Sequence, residues 1–157
     1  MIRRREFITL LGGAAASWPL AARAQQVVRR VGVLMPRTAD STSIVTFLKF
    51  LRDALQKLGW IEDRNLRLDV RYAAGDANLF RSYAAELVSL KPDVIVTAGL
   101  PVTRAVQQQT QTIPIVFTGV GDPVAAGIVK SLAHPEGNAT GITNGVFFAG
   151  RQVGAIA

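Results

Sequence analysis

Apolar and polar residues alternate in blocks along this chain, and the period changes from block to block. Val31 to Met35 (VGVLM) is an unbroken apolar run, the pattern of a strand covered on both faces. Pro36 ends it, and the hydroxyl-rich stretch Arg37 to Ser43 follows. One of Ser41, Thr42 or Ser43 caps the next helix. Ile44, Leu48, Leu51, Leu55 and Leu58 then recur at spacings of 4, 3, 4 and 3. That is one face of an amphipathic helix, with Lys49, Arg52, Asp53, Gln56 and Lys57 on the other. Gly59 stops it. The period falls to two at Leu66, Leu68, Val70 and Tyr72, with Arg67, Asp69 and Arg71 between them. A strand with charges on one face is half exposed, which predicts a sheet edge. Gly75 turns the chain, and Asp76 caps a second helix whose apolar face is Leu79, Tyr83, Leu87 and Leu90.

Pro92 leads into a second fully apolar run, Val94-Ile95-Val96. Gly99 and Pro101 open a third helix, with proline at a position where its missing N–H costs nothing. The polar run Gln107 to Thr112 closes that helix, and Ile115-Val116-Phe117 forms another buried strand. Gly119, Gly121, Asp122 and Pro123 turn the chain again, with Asp122 as N-cap and Pro123 at the first helical position. Val124, Ile128 and Leu132 at helical spacing predict a fourth helix, broken by His134 to Asn138. Gly141-Ile142-Thr143 is a short fifth strand. Strands alternating with helices predict an α/β fold in three layers: a parallel sheet flanked by helices, joined by right-handed crossovers. With an edge-like second strand, the expected strand order is 2-1-3-4-5. Gly145 to Ala157 carries no capping signal and no clear period.

Composition narrows the chemistry. The 157 residues suffice for one domain with a core, and 49% of them are apolar. Cysteine is absent, which excludes disulfides, thiolate metal sites, a cysteine nucleophile and a lipid anchor on an N-terminal cysteine. The net charge of +7 raises nucleic-acid binding as a possibility. However, Arg3, Arg4, Arg5 and Arg23 precede residue 25, and the other basic residues are interspersed with acids along the chain. That is the distribution of solvated faces, and no nucleic-acid partner is expected.

His134 is the only histidine and lies in a Pro/Gly turn. No G-x-S-x-G, H-E-x-x-H or G-x-x-x-x-G-K-[ST] occurs, and Gly119-Val120-Gly121 lacks the third glycine of a dinucleotide fingerprint. No catalytic residue, metal or cofactor is therefore assigned. What remains is a rim of loops where the first, third and fourth strands end. The candidate ligand-binding residues are Ser41, Thr42 and Ser43; Gly99, Leu100, Pro101, Val102 and Thr103; and Thr118, Gly119, Gly121 and Asp122. These segments present helix-start amides, hydroxyls and a carboxylate, a set suited to a small polar or anionic ligand.

Met1 to Ala24 has the make-up of an export signal: three arginines, the apolar segment Phe7 to Leu20, and Ala22-Arg23-Ala24 as a cleavage pattern. The apolar segment is shorter than the ~20 residues of a membrane-spanning helix. Arg4-Arg5-Glu6-Phe7-Ile8 is similar to the twin-arginine signal, with a general secretory signal as the alternative. The mature chain would begin at Gln25.

Three runs carry a resemblance: GWIEDRNLRLDVRYAAGD from Gly59, AAELVSLKPDVIVTAGLP from Ala84, and TIPIVFTGVGDPVAAGIVKSLAHPEGNATGITN from Thr112. Together they resemble the ABC transporter substrate-binding protein family of the tryptophan/tyrosine-transporter type, over about Val31 to Asn144. The resemblance implies one lobe of a type I periplasmic-binding-protein fold, with ligand held by strand-end loops. It also implies export to the periplasm, a permease partner in the inner membrane, and a ligand such as an amino acid or related carboxylate. The helix start after Gly99 is then the place for that carboxylate. Members often carry a hydroxyl residue before the proline here; in this chain the position is Leu100.

The expected organisation is a signal peptide over 1–24, an N-terminal α/β lobe over 25–144, and an atypical tail over 145–157 where relatives continue into a second lobe. That pattern reads as a truncated or frameshifted product, with weak ligand binding or none. A small flavodoxin-like or Rossmann-like enzyme, or a non-functional fragment, are the alternatives.

Overall fold

A computed structural model describes residues 28–143. The predicted signal peptide and the tail from Gly145 lie outside the described residues. Eight elements follow in order: β1 (Arg29–Met35), α1 (Thr42–Lys57), β2 (Leu66–Tyr72), α2 (Ala77–Ser89), β3 (Val94–Ala98), α3 (Leu100–Gln109), β4 (Ile115–Val120) and β5 (Ala139–Thr143). The strands form a single parallel sheet in the order β2-β1-β3-β4-β5, the order expected from the edge-like pattern of β2.

The alternation along each strand divides the core in two. Val31, Val33 and Met35 pack with Ile44 and Leu48 of α1 on one face. Leu34, Ile95, Ile115 and Phe117 pack with Leu87 of α2 and Val102, Ala105 and Val106 of α3 on the other. Ile95 and Leu34 are fully buried, each contributing about 1.5–3 kcal/mol of burial free energy. Both sides of β1 are apolar because both are covered, which is why its sequence shows no alternation.

Polar contacts set the strand ends. Asp76 caps α2 by accepting from the Asn78 amide at 2.7 Å, as expected. On β2, Arg71 donates to Glu86 of α2 at 2.6 Å, and Arg30 Nε lies 3.1 Å from Asp69. Edge-strand charges therefore meet partners on the α2 face. At the opposite end of the sheet, Asp93 accepts from the Arg30 amide at 2.8 Å and from the Arg29 guanidinium at 2.6 Å, stitching the start of β3 to β1.

The fourth helix predicted after Asp122-Pro123 does not form. Asp122 does act as a cap, its Oδ1 accepting from the Ala125 amide at 2.9 Å. One turn follows, closed by Ala126 N–H to Asp122 O at 3.0 Å. Gly127 then adopts φ +69°, and Ile128 donates back to Pro123 O at 2.8 Å. Gly127 terminates the turn in the left-handed geometry of a helix end. Ile128 and Val129 are both buried while Leu132 is exposed, so the predicted apolar face of Val124, Ile128 and Leu132 is not the buried one. The chain returns to β5 through turns held by Ser131 and His134.

Two outcomes are expected. A Cβ on Gly141 would fall on the carbonyl oxygen and ring of the buried Phe117, so Gly141→Ala should cost about 1–3 kcal/mol in a urea melt. The Arg30 amide, then the Arg29 side chain, hold the Asp93 carboxyl below its ordinary value of 3.8. Folding thus favours the carboxylate, and the stabilisation present at neutral pH is lost as pH falls through that lowered pKa. Asp93→Asn should cost less than about 1 kcal/mol at neutral pH, since the pair is exposed. Its difference from the parent should shrink in melts at acid pH.

Candidate functional site

All five strands are parallel, so β1, β3 and β4 end at the same edge of the sheet and their loops share one rim. β3 and β4 meet most closely. The Gly99 amide donates to Thr118 O at 2.7 Å, continuing the ladder that pairs Ala98 with Thr118. Gly99 holds φ +91° and is the N-cap of α3, a conformation that L side chains rarely adopt. A Cβ on Gly119 would lie 3.7 Å from the Gly99 nitrogen. Two glycines thus face each other where α3 begins. Helix geometry leaves the first-turn amides of Leu100 and Val102 without intrahelical acceptors; Leu100 is half-buried at the rim, and Val102 is fully buried.

The predicted residues divide into those at the surface and those behind it. Ser41, Gly99, Leu100, Thr118, Gly121 and Asp122 are half-buried along the rim, and Thr42, Ser43, Pro101 and Gly119 are exposed. Ser41 is the N-cap of α1 by position but makes no side-chain cap bond; its hydroxyl lies 3.1 Å from that of Ser43. Val102 and Thr103 are fully buried. The Thr103 hydroxyl donates to Gly99 O at 2.8 Å and lies 2.8 Å from the Thr97 hydroxyl. Its side chain therefore braces the first turn of α3 from inside.

The loops after β1 and β2 form a second part of the rim. Ala73 donates to Met35 O at 3.0 Å and Gly75 to Pro36 O at 2.6 Å. Between these loops opens a hollow of about 480 Å³, with Pro36, Arg37, Thr38 and Ser41 on one side and Gly75 and Phe80 on the other. The Thr38 hydroxyl holds the exposed Asp40 carboxyl below its ordinary value. Gly75 and Phe80 were not among the candidate ligand-binding residues, and Arg37 was read only as part of the loop after β1. Their signal was the strand order itself: placing β2 beside β1 also places the turn after β2 beside the loop after β1. His134 lies in the turns that precede β5, at the opposite edge from the rim. Among the described residues no cluster of His, Cys, Asp or Glu could hold a metal ion.

A parallel sheet in this order, with a backbone-lined rim at its C-terminal edge, is one lobe of a periplasmic-binding-protein fold. The chain belongs to the ABC transporter substrate binding protein family, whose model matches residues 30–153. It is 38% identical over 91 residues to a tyrosine-binding protein of Clostridioides difficile (strain R20291), covering 58% of this chain and 26% of that protein. Among solved structures it resembles a conserved domain protein from Vibrio cholerae, with 34% identity and a TM-score of 0.70, over 74% of this chain and 38% of that one. It also resembles an ABC domain in complex with L-Trp from Streptococcus pneumonia, with 26% identity and a TM-score of 0.68, over 73% and 38% of the respective chains. The chain thus spans about a quarter of the curated relative, and under two-fifths of these structures.

The buried hydroxyl pair generates a testable expectation. Thr103→Val strands the Thr97 hydroxyl and should cost about 1–3 kcal/mol in a denaturant melt, whereas the double change Thr97→Val with Thr103→Val should recover much of it.

Proposed function

We propose that this lobe forms one wall of the binding cleft of an exported solute-binding protein for ABC-type uptake, and that its ligand is an amino acid, tyrosine and tryptophan being the first candidates. One observation carries the reading: the start of α3 stands against Gly119 where β3 and β4 end. Backbone amides at a helix start attract a carboxylate, and the absence of side chains at both glycines lets that group approach. The hollow beside Arg37 and Phe80 offers room next to it for the rest of the ligand. The names of the relatives, tyrosine-binding and L-Trp-bound, favour the same ligand class. In this reading the segment 1–24 directs export to the periplasm, and the loaded protein delivers its ligand to an inner-membrane permease.

Thermal shift with matched ligand pairs tests the proposal. L-tyrosine and L-tryptophan should raise the melting temperature, while tyramine and tryptamine, which lack the carboxylate, should not. At about tenfold excess over Kd the stabilisation is about 1.4 kcal/mol, a shift of several degrees. Leu100→Thr, which places a hydroxyl beside the amides, should strengthen amino-acid binding severalfold by titration calorimetry. Equal responses to amino acid and amine would refute a carboxylate site at α3.

A further inference from the structure

The acids along the rim are engaged within their own loops. The Thr38 hydroxyl holds the Asp40 carboxylate. Asp76 accepts from the Asn78 amide at 2.7 Å, and Asp122 from the Ala125 amide at 2.9 Å. Arg37 differs. It is exposed, and among the described residues its guanidinium makes no hydrogen bond or ion pair. A guanidinium carries donors and no acceptor, so its complement is an oxygen acceptor.

The backbone around Arg37 is braced on both sides. Pro36 O accepts from the Gly75 amide at 2.6 Å, and the Ser41 amide donates to Thr38 O at 3.2 Å. Arg37 thus stands on a fixed loop at one side of the hollow. Across it, Phe80 packs against the core, and the rest of that wall is the small residues Ala74 and Gly75. That leaves room for a flat ring laid on Phe80. From the β3–β4 junction to the β1–β2 junction is two strand spacings, about 10 Å. A ligand whose carboxylate lies at the start of α3 therefore meets Arg37 only with its far end.

We propose that Arg37 sets the specificity of this rim by donating to an oxygen at the end of the ligand opposite its α-carboxylate, a role that rests on the carboxylate lying at the start of α3 as proposed above. The ligand class it selects is an aromatic amino acid bearing an oxygen at the para end of its ring. A ring carboxylate suits the guanidinium best, because it accepts two parallel N–H bonds and carries the opposite charge. The phenol of tyrosine offers a single oxygen. Phenylalanine offers no acceptor, and the indole of tryptophan offers an N–H donor where another donor already stands. A lysine or arginine ligand would set a like charge against Arg37. A ligand that covers the guanidinium without replacing its water leaves those donors unmet, which is how a polar site rejects a close analogue.

Calorimetric titration of the full chain with L-phenylalanine, L-tryptophan, L-tyrosine and 4-carboxy-L-phenylalanine tests this. Tyrosine should bind more tightly than phenylalanine or tryptophan, and the carboxy compound about tenfold more tightly than phenylalanine. Arg37→Met should bring all of these ligands to within about twofold of one another, with phenylalanine itself little changed. Arg37→Lys, which keeps the charge and loses the fork, should retain part of the preference for the carboxy compound. Because Arg37 is exposed, both variants should melt with the parent, and a merely structural role would move every affinity together. Equal affinities in the parent, an order of preference that survives in Arg37→Met, or a uniform loss in that variant overturns the proposal and leaves the carboxylate site at α3 standing. Binding of none of these ligands by the parent overturns the carboxylate reading, and the role of Arg37 with it.

Discussion

The hydrogen bond from the Gly99 amide to Thr118 O is the constraint on which the rim depends. It extends the β3–β4 ladder one residue beyond the last paired strand positions, and then the chain must turn at once into a helix. Only a residue free of a Cβ takes φ +91° there at little cost. Once Gly99 is held, its own carbonyl receives both the amide and the hydroxyl of Thr103. The first turn of α3 is therefore oriented by the sheet on one side and by a buried hydroxyl on the other. That turn is thereby fixed in direction, which is what the proposed anion site made of backbone requires.

The sheet transmits this local geometry to the rest of the edge. Parallel pairing brings the ends of β1 and β4 to the two sides of β3, and the tie between Gly75 and Pro36 carries the rim on to β2. The same handedness that gathers the loops also piles three of the four connections onto one face. A shared rim of loops and, among the described residues, an unevenly covered sheet are thus consequences of one topological rule.

Much of this was legible in the residues. The unbroken apolar runs of β1 and β3 announced strands covered on both sides, the alternation of β2 announced an edge, and Asp76 and Gly99 announced helix starts; the run in β4 was also read as buried, yet Val116 stays exposed. The β4–β5 connection was misread because Val124, Ile128 and Leu132 fit a helical period, while Gly127 ends the helix after one turn and Val129 goes inward beside Ile128. Val102 and Thr103 were read as rim residues, but a position in sequence does not say whether a side chain faces the rim or the core. Gly75 and Phe80 were overlooked as rim residues because they come from a loop and a helix far from the β1 loop in the chain.

What the sequence determined by itself is local: which segments are strands or helices, where most of them begin, and, through the patterning, the order of strands in the sheet. These follow from backbone preference and from the period at which apolar groups recur, both of which act over a few neighbouring residues. Where the first turn of α3 sits at the rim, which hydroxyls are spent inside the core, and which sheet positions stay exposed among the described residues were decided only by the tertiary structure. Those properties belong to pairs of segments, and they arise when packing brings together groups that no short-range preference couples.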